Sequence, residues 1–317
     1  MKTKVELTEG RPVATPSNPN PPTLPQTLGE IANYTKIHEW QDKKSSRELS
    51  RNSEMVCAVL GENTKIADIT KFEIDGIIQN WKAGGSSNGT INRKLAALSK
   101  MFTTAIELEV ISKRPIIKRL PEAQHRVRFY TDEDFRKMGE LCELFQSPTS
   151  NRWKQFYEYL VFMADTGLRQ SEAFNMKWKD VLDHPPYSPE RKAILIKDTK
   201  NQEDRVIPLT TKAQKILEDI QIEGSEDGPW VWWTKPRLRQ YWATLRNAMG
   251  WEHDKQAVLH TLRHTFCSRL VQKGVPLPIV RDLAGHKRIE MTLRYSHLSP
   301  HDLLTSIDVL NQGEAIN

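Results

Sequence analysis

Cysteine is scarce in this 317-residue sequence: Cys57, Cys142 and Cys267 lie far apart, and none belongs to a CxxC or Cys/His ligand pattern. This spacing argues against a disulfide framework and a structural zinc site, so we expect reduced thiols. The sequence also has no dense cluster of aspartate and glutamate of the kind that binds two catalytic metal ions. We therefore expect neither a metal ion nor another cofactor.

Long apolar runs are absent as well. No stretch approaches the roughly 18 consecutive apolar residues of a membrane-spanning helix. The first residues, MKTKVELTEGRP, contain no apolar segment of the kind that a secretory signal requires. The sequence therefore predicts a cytoplasmic protein that does not cross a membrane.

Charge is abundant but close to balanced. Lysine and arginine number 46 and aspartate and glutamate 40, which gives a formal net charge of +6 and a pI of about 9.1. This excess permits a polyanionic partner without demanding one. Hydrophobic residues make up 38% and charged residues 27%, as in globular proteins, and the length exceeds what one core usually organises. We expect two domains.

The sequence divides into five parts. Residues 1–26 contain six prolines and few large apolar side chains, which indicates a flexible or extended arm. Residues 27–110 have helical periodicity, and residues 130–298 form a second domain that is followed by a tail, 299–317. Between the domains, residues 111–129 form a basic linker that two prolines interrupt. Its basic residues are Lys113, Arg114, Lys118, Arg119, Arg126 and Arg128.

The fold is predicted to be mainly α, with an N-terminal helical domain and a mixed α/β second domain. In the first domain, apolar residues repeat at helical spacing within 91–108: Leu95, Leu98, Phe102 and Ala105. In the second, two β-rich runs of 193–209 flank a polar turn at 199–204, which predicts a hairpin. Helices are expected around that hairpin, near 131–142, 153–164, 235–250, 260–273, 278–284 and 289–297, and another is expected to begin at Thr211.

Five short motifs contain candidate functional side chains. They are Arg169 and Glu172 in TGLRQSE, Lys200 in DTKN, His260 and Arg263 in HTLRH, His286 in LAGH, and Tyr295 in TLRYSH. Each has an ordinary alternative, namely a helix ion pair, a solvated lysine, a packed histidine or a buried aromatic residue with a satisfied hydroxyl. For Arg169 with Glu172, the two interpretations are about equally favoured.

Together the same residues suit phosphoryl transfer. Charge concentrates on the non-bridging oxygens of a phosphodiester during in-line attack, and two arginines with histidine donors can stabilise it. A phenol has a reference pKa of about 10 and must lose its proton to attack. The departing oxygen must gain a proton.

In this order the motifs resemble those of the tyrosine recombinase family, the phage-integrase type. The resemblance is specific over 166–298 and extends more weakly back to residue 28, where the family has a helical core-DNA-binding domain. It implies that Tyr295 forms a 3′-phosphotyrosine bond while Arg169 and Arg263 hold the scissile phosphate. Lys200 would be the general acid, favoured over Lys197 because Lys197 lies within the apolar strand run.

The resemblance further implies that His260 and His286 assist through proton transfer or hydrogen bonding, and that Glu172 orients its neighbours. The expected partner is double-stranded DNA containing recombination sites, bound by a homotetramer in which residues 299–317 dock on a neighbouring protomer. The linker would bind phosphates, and helices at 85–108 and 235–250 would read bases. The second of these contains Lys235, Arg237, Arg239 and Arg246. A solvated basic face is an equally favoured interpretation of that helix, and accessory DNA-bending proteins stay open as partners.

Two other functions use the same scaffold. One is a DNA-binding regulator without catalysis, against which the intact Tyr295 and both arginines argue. The other is a type IB topoisomerase, against which the short length and the helical domain argue. Among recombinases, the divergent N-terminal half and the proline-rich arm favour a phage or mobile-element integrase over a chromosome-dimer resolvase. The arm itself is too short to be expected to form a separate DNA-binding domain.

Overall fold

A computed structural model of the chain describes residues 23–122, 127–183, 185, 189–197, 204–221 and 227–300. The chain forms two units, Met1–Gln124 and His125–Asn317, and each has its own apolar core. The fold is mainly helical with one small antiparallel sheet, as predicted. Among the described residues, no helix is both long enough and apolar enough to span a membrane.

The described part of the first unit contains four α-helices: α1 (Leu28–Thr35), α2 (Ser46–Leu60), α3 (Lys71–Ala83) and α4 (Asn88–Glu107). Capping boxes begin α1 at Thr27 and α3 at Thr70, and the Ser87 hydroxyl accepts a hydrogen bond from the first turn of α4. The helix predicted over 85–108 begins only at Asn88, because Ser87 supplies this cap.

Helix α4 is the centre of the first core. The predicted apolar stripe is confirmed, since Leu95, Leu98, Phe102 and Ala105 are all at most 1% exposed. Half of the twenty residues of α4 are buried, so this helix serves mainly as core. Between residues 91 and 98 the exposed positions are Arg93 and Ala96, which leaves a narrow face for reading DNA bases.

The predicted linker is fixed to this core over its described part. Residues 111–122 contain neither helix nor strand, and the side chains of Ile111, Ile117 and Leu120 pack against the core of the first unit. The Asn92 side-chain amide donates to the Leu120 carbonyl at 2.9 Å, and the Leu120 N–H donates back to Asn92 Oδ1 at 2.9 Å. This reciprocal pair holds the extended segment along α4.

The second unit is built around one buried helix, α6, whose side chains form much of the apolar cluster. Its helices are α5 (Asp132–Leu144), α6 (Arg152–Thr166), α7 (Gln170–Asn175), α8 (Thr211–Ile220), α9 (Lys235–Ala248), α10 (Thr261–Gln272), α11 (Leu277–Ala284) and α12 (Glu290–Leu293). Helix α5 begins with a capping box that Thr131 and Asp134 form.

The predicted hairpin is confirmed as two antiparallel strands, β2 (Ala193–Ile196) and β3 (Arg205–Pro208), paired from Ala193 with Pro208 to Ile196 with Arg205. A third strand, β1 (Val181–Leu182), pairs with β2 and was not predicted because it has only two residues. The tip of the hairpin, 198–203, lies outside the described residues.

The C-terminal helix is shorter than predicted. Residues 289–297 are expected to be one helix, but α12 ends at Leu293 and a 3₁₀ turn occupies Ser296–Leu298. The Tyr295 N–H donates to the Thr292 carbonyl at 3.0 Å, three residues back, which tightens the chain out of α-helical geometry. Tyr295 therefore stands between two short helical pieces.

Candidate active site

The first arginine of the site stands at the turn between α6 and α7. Gly167 ends α6 in the left-handed conformation with φ +64°, which glycine adopts without steric cost. The chain then turns so that Arg169 immediately precedes α7. Arg169 Nη1 donates to Glu172 Oε1 at 2.7 Å, and Nη2 donates to the Gly285 carbonyl at 2.7 Å. Two anchors thus fix the plane of this guanidinium group.

The second arginine, Arg263, is on α10 and is only 3% exposed. Its Nη1 donates to the Gly167 carbonyl at 2.7 Å, and its Nη2 donates to the Ala284 carbonyl. Burial, followed by the nearby charge of Arg169, lowers the pKa of Arg263 to about 10. Arg263 is therefore a buried cation, and other groups of its unit neutralise its charge only in part.

The two predicted arginines converge on one place. Arg169 binds the carbonyl of Gly285 and Arg263 binds that of Ala284, so consecutive carbonyls at the C-terminal end of α11 receive both guanidinium groups. A helix C-terminus carries partial negative charge, which favours cations there. The α11 end thus aligns two cations that come from separate helices.

A third arginine, Arg205 at the start of β3, belongs to the same network and was missed from sequence. Its Nη2 and Nη1 donate to the two oxygens of Glu172 at 2.7 and 3.1 Å. Burial alone would raise the pKa of Glu172, but Arg205 and Arg169 outweigh it and lower that pKa to about 2. The feature of the sequence that could have indicated Arg205 was a basic residue at the start of the apolar run RVIPL.

The charges of this network do not cancel. Three guanidinium groups, from Arg169, Arg205 and Arg263, share one carboxylate, that of Glu172. Within the described residues the site therefore has an excess of positive charge, part of it buried. Such a site attracts an anion that has several oxygens, and a phosphate has the geometry that arginine forks recognise.

Two predicted histidines flank these arginines. His286 follows Gly285, is 9% exposed, and its Nδ1 is hydrogen-bonded to the Thr292 hydroxyl at 2.9 Å. Burial, then the charges of Arg263 and Arg169, lowers the pKa of His286 to about 4. His260 immediately precedes α10 and keeps solvent exposure. Partial burial, followed by the charge of Arg263, lowers its pKa as well. Both imidazoles are thus biased towards the neutral form.

Tyr295 packs against α10 and is 1% exposed. Its hydroxyl is hydrogen-bonded to Nδ1 of His264 at 2.6 Å, and its ring lies in an apolar cluster with Phe266 and Cys267. Burial and the neighbouring Cys267 thiol raise the pKa of Tyr295, while Arg294 and Arg263 act in the opposite direction. The phenol is therefore covered and protonated.

His264 was not predicted as a site residue. It lies four residues after His260 and one after Arg263. Residues four apart are neighbours on a helix, so the HTLRH motif could have indicated that His264 lies beside His260. The His260 and His264 rings meet edge to face, with centroids 5.0 Å apart. Burial, then the charge of His260, lowers the pKa of His264 to about 4. His264 is thus neutral at neutral pH.

The structure brings most of the predicted residues together within the second unit. Arg169, Glu172, Arg263 and His286 meet at the end of α11, and the charge of Arg263 acts on the hydroxyl of Tyr295. Lys200 lies outside the described residues. The rival lysine, Lys197, directly follows β2 and is exposed.

The predicted DNA-binding residues have different environments. Lys113, Lys118 and Arg119 are exposed. Arg114 donates to Ser99 and Thr103 of α4. Arg128 lies over the ring of Trp251 and pairs with Asp254 at 2.9 Å, so its charge already has a partner. Arg126 is outside the described residues.

Helix α9 contains the other predicted DNA-binding residues. Arg237 and Arg239 are exposed, and Arg237 also donates to the Trp232 carbonyl at 3.2 Å. Arg246 holds the loop that follows α9, because it donates to the carbonyls of Trp251, Glu252 and Asp254. The exposed basic side chains of α9 therefore lie in the N-terminal half of the helix.

Comparison with known proteins gives a consistent result. A sequence model of the phage integrase family matches residues 129–301. A tyrosine recombinase of Pseudothermotoga lettingae is 25% identical over 266 residues, which cover 82% of this chain and 88% of that protein. An integrase of Haemophilus phage HP1 is also 25% identical, over 86% of this chain and 78% of its own. Among solved structures, the integrase of the Tn1549 transposon in complex with a circular intermediate DNA superposes with a TM-score of 0.70 at 18% identity, covering 90% of this chain and 99% of that one.

Proposed function

The chain belongs to the phage integrase family, the tyrosine recombinases that cleave and rejoin DNA strands, and we propose that it does so at specific sites through a 3′-phosphotyrosine bond to Tyr295. One observation supports this most strongly. Arg169 and Arg263 donate to consecutive carbonyls at the end of α11, and the hydroxyl of Tyr295 is within the electrostatic reach of Arg263. Two cations and a nucleophile are the parts that phosphoryl transfer to a protein requires.

In the proposed reaction, the scissile phosphate binds to Arg169 and Arg263. Each arginine already uses two donors on protein acceptors, and its remaining N–H groups are available to non-bridging oxygens. Because the guanidinium groups are fixed before DNA arrives, they need little reorganisation as charge develops in the transition state. Glu172 and Arg205 keep Arg169 in place without touching the substrate.

Attack by Tyr295 forms a bond from its phenol oxygen to phosphorus and breaks the bond from phosphorus to the 5′ oxygen. We assign the proton for that leaving oxygen to Lys200, following the family pattern. His260 and His286 would donate hydrogen bonds to the phosphate or move protons nearby. Because the phosphotyrosine link preserves a phosphoester bond, a 5′ hydroxyl from another strand can reverse the attack and complete strand exchange.

The first unit would serve as the core-DNA-binding domain. Residues 27–110 would contact the duplex, and residues 111–129 would bind along its phosphate backbone. Exposed Lys113, Lys118 and Arg119 support the second part. The Tn1549 integrase is similar over 90% of this chain and is bound to DNA in its structure, which favours duplex DNA as the partner here.

The biological role that we propose is integration or excision of a phage or mobile element. Support comes from the relatives, which include an integrase of a Haemophilus phage and one of a transposon. The active assembly would be a tetramer on two DNA sites, in which residues 299–317 dock on a neighbouring protomer. Residues 301–317 lie outside the described residues, so the sequence alone supports the docking.

A nicked suicide substrate tests the proposed chemistry, because the fragment lost at the nick traps the covalent intermediate. Wild-type protein should form a protease-sensitive adduct with the DNA 3′ end, and Tyr295→Phe should form none while keeping its DNA affinity. Joining of two separate sites would then distinguish recombination from relaxation alone. A wild-type chain that binds DNA and never forms the adduct would instead be a regulator.

A further inference from the structure

Nδ1 of His264 is hydrogen-bonded to the Tyr295 hydroxyl at 2.6 Å. We propose that His264 is a catalytic residue of the cleavage step, accepting through Nδ1 the proton that Tyr295 releases as it attacks. This inference rests on the proposed function, since it gives His264 a part in the reaction of Tyr295. It also assigns a proton acceptor on the side of the nucleophile.

The position of His264 on α10 fits this role. His260, Arg263, His264 and Cys267 follow one another at helical spacing and share one face of α10. Tyr295 packs on this face, with its hydroxyl 2.6 Å from Nδ1 of His264 and its ring beside Cys267. The same helix therefore presents a phosphate-binding arginine and the acceptor for the nucleophile in adjacent residues.

The direction of the hydrogen bond follows from protonation. The low pKa of His264, about 4, leaves its imidazole neutral at neutral pH, and burial keeps the Tyr295 phenol protonated. A protonated phenol donates and a neutral imidazole nitrogen accepts, so Nδ1 is the acceptor and Nε2 carries the ring proton. A bound phosphodiester adds negative charge beside His264 and would raise its pKa towards the ordinary value, making it a better base.

Other neighbouring groups are less suited to the task. His286 uses Nδ1 for the hydroxyl of Thr292, and Glu172 binds Arg169 and Arg205 with both oxygens. Burial raises the pKa of the Cys267 thiol, which keeps that group in its weakly accepting neutral form. His260 lies edge to face with His264 and is exposed, so it is placed to pass a proton on from His264 to solvent.

The step balances as follows. The oxygen of Tyr295 forms its bond to phosphorus as its proton moves to Nδ1 of His264, which becomes an imidazolium. The bond from phosphorus to the 5′ oxygen breaks, and that oxygen takes a proton from the general acid on the opposite side. Religation reverses each transfer, so the imidazolium returns its proton to the departing phenol.

Two variants separate proton transfer from hydrogen bonding. His264→Ala removes the acceptor, whereas His264→Asn keeps an acceptor oxygen near the position of Nδ1 but cannot take a proton at neutral pH. Single-turnover cleavage of the nicked substrate should fall about 100-fold or more in both variants, the usual range for a general base. DNA affinity should stay within about twofold of wild type, because the phosphate-binding arginines are intact.

A substrate with a bridging 5′ sulfur sharpens the test, because a thiolate leaves without protonation. Both His264 variants should stay slow on this substrate, since their defect is on the nucleophile side. Rescue by the sulfur, a wild-type rate in His264→Ala, or a wild-type rate in His264→Asn would each overturn the assignment. Failure of wild-type protein to form an adduct would refute the proposed function itself, which is a different outcome.

Discussion

At the scale of single residues, the site is organised by the competition between burial and charge. Three arginines share one carboxylate, and two histidines, His264 and His286, have low pKa values because burial and nearby cations disfavour their charged forms. Within the described residues this site holds more positive charge than it neutralises. In the proposed reaction, DNA phosphate would supply the missing negative charge and would raise the pKa values of the histidines.

The histidines make stability depend on pH. His264 and His286 have folded-state pKa values of about 4, below the value of about 6.5 expected in an unfolded chain, so the unfolded state binds more protons between these values. Their stabilising contribution is therefore full above pH 6.5 and is lost as pH falls towards 4. Between pH 7 and pH 5 we expect a loss of about 1–2 kcal/mol for each histidine.

Thermal unfolding of the full chain at pH 7 and pH 5 measures this loss. The double variant His264→Asn, His286→Asn should flatten the dependence on pH. His253→Gln, which changes a side chain that is 96% exposed, serves as the control and should keep the wild-type profile. An unchanged slope in the double variant would contradict the prediction. Glu172 contributes little between pH 7 and pH 5, because the stability that its lowered pKa provides is lost only as pH falls below about 4.5, the ordinary value for a glutamate.

Arg205 should matter for both stability and cleavage. It is 14% exposed and binds Glu172 through two hydrogen bonds, so Arg205→Met leaves a largely buried carboxylate with one fewer partner. We expect a loss of about 2–4 kcal/mol in the free energy of unfolding. Single-turnover cleavage should fall about tenfold, because Arg169 loses its fixed support.

Urea unfolding and the nicked-substrate assay measure these two effects. Arg136→Met is the matched control, since Arg136 also pairs with carboxylates but lies on the surface with its side chain 54% exposed. Its removal should leave stability and cleavage close to wild type. If Arg205→Met and Arg136→Met were equally stable, burial would not strengthen the ion pair between Arg205 and Glu172.

At the scale of elements, helix ends place the functional groups. Gly167 ends α6 and Gly285 ends α11, both in the left-handed conformation with φ +64°. The turn at Gly167 positions Arg169, and the Gly167 carbonyl accepts a hydrogen bond from Arg263. The turn at Gly285 positions His286, and the Gly285 carbonyl accepts a hydrogen bond from Arg169. Each glycine therefore joins a core helix to a functional side chain.

Replacing Gly167 should separate backbone strain from packing. In Gly167→Ala the new Cβ would collide with the ring of Phe266, in addition to the strain of a positive φ. Gly250 has a similar φ of +71°, and no atom lies within 4 Å of the place that a Cβ would take, so Gly250→Ala carries the strain alone. We expect a loss of about 1 kcal/mol for Gly250→Ala. Gly167→Ala should lose about 1–3 kcal/mol more, the typical cost of overpacking a core.

Chemical denaturation of both variants provides the comparison. Cleavage by Gly167→Ala should also decline, because the carbonyl of Gly167 anchors Arg263. If the two alanine variants lost equal stability, the contact with Phe266 would have no energetic weight.

At the scale of the whole molecule, the net charge of +6 is modest, but basic groups are concentrated locally. Exposed lysines of the 111–122 segment lie along the first unit, whose α4 is mostly core. DNA affinity should therefore come largely from phosphate contacts of extended segments, with base reading left to a small number of exposed side chains.

Charge removal tests this distribution. The double variant Lys113→Gln, Lys118→Gln should reduce the dependence of log affinity on log salt concentration by about two, or about 0.9 for each released counterion. The control, Lys137→Gln with Lys154→Gln, makes the same change in net charge at surface residues that pair with carboxylates. Equal slopes in the two double variants would show that the segment does not contact DNA.

The mainly helical architecture and most of the candidate site residues could be predicted from the amino-acid sequence alone. Periodicity predicted the stripe of α4, the strand-forming runs predicted the hairpin, and five spaced motifs predicted that Arg169, Arg263 and His286 act together. These features are readable because they depend on local spacing and on residue chemistry, which a linear sequence preserves.

Which side chains contact each other depends instead on the tertiary fold. Arg205 joins Glu172 from a strand thirty-three residues away, and His264 meets Tyr295 across thirty-one residues. Arg128 and Arg246 look like DNA-binding residues in the sequence, yet both have partners within their own unit. Such contacts depend on how helices pack and on which faces become buried, and neither property is set by the spacing of residues along the chain.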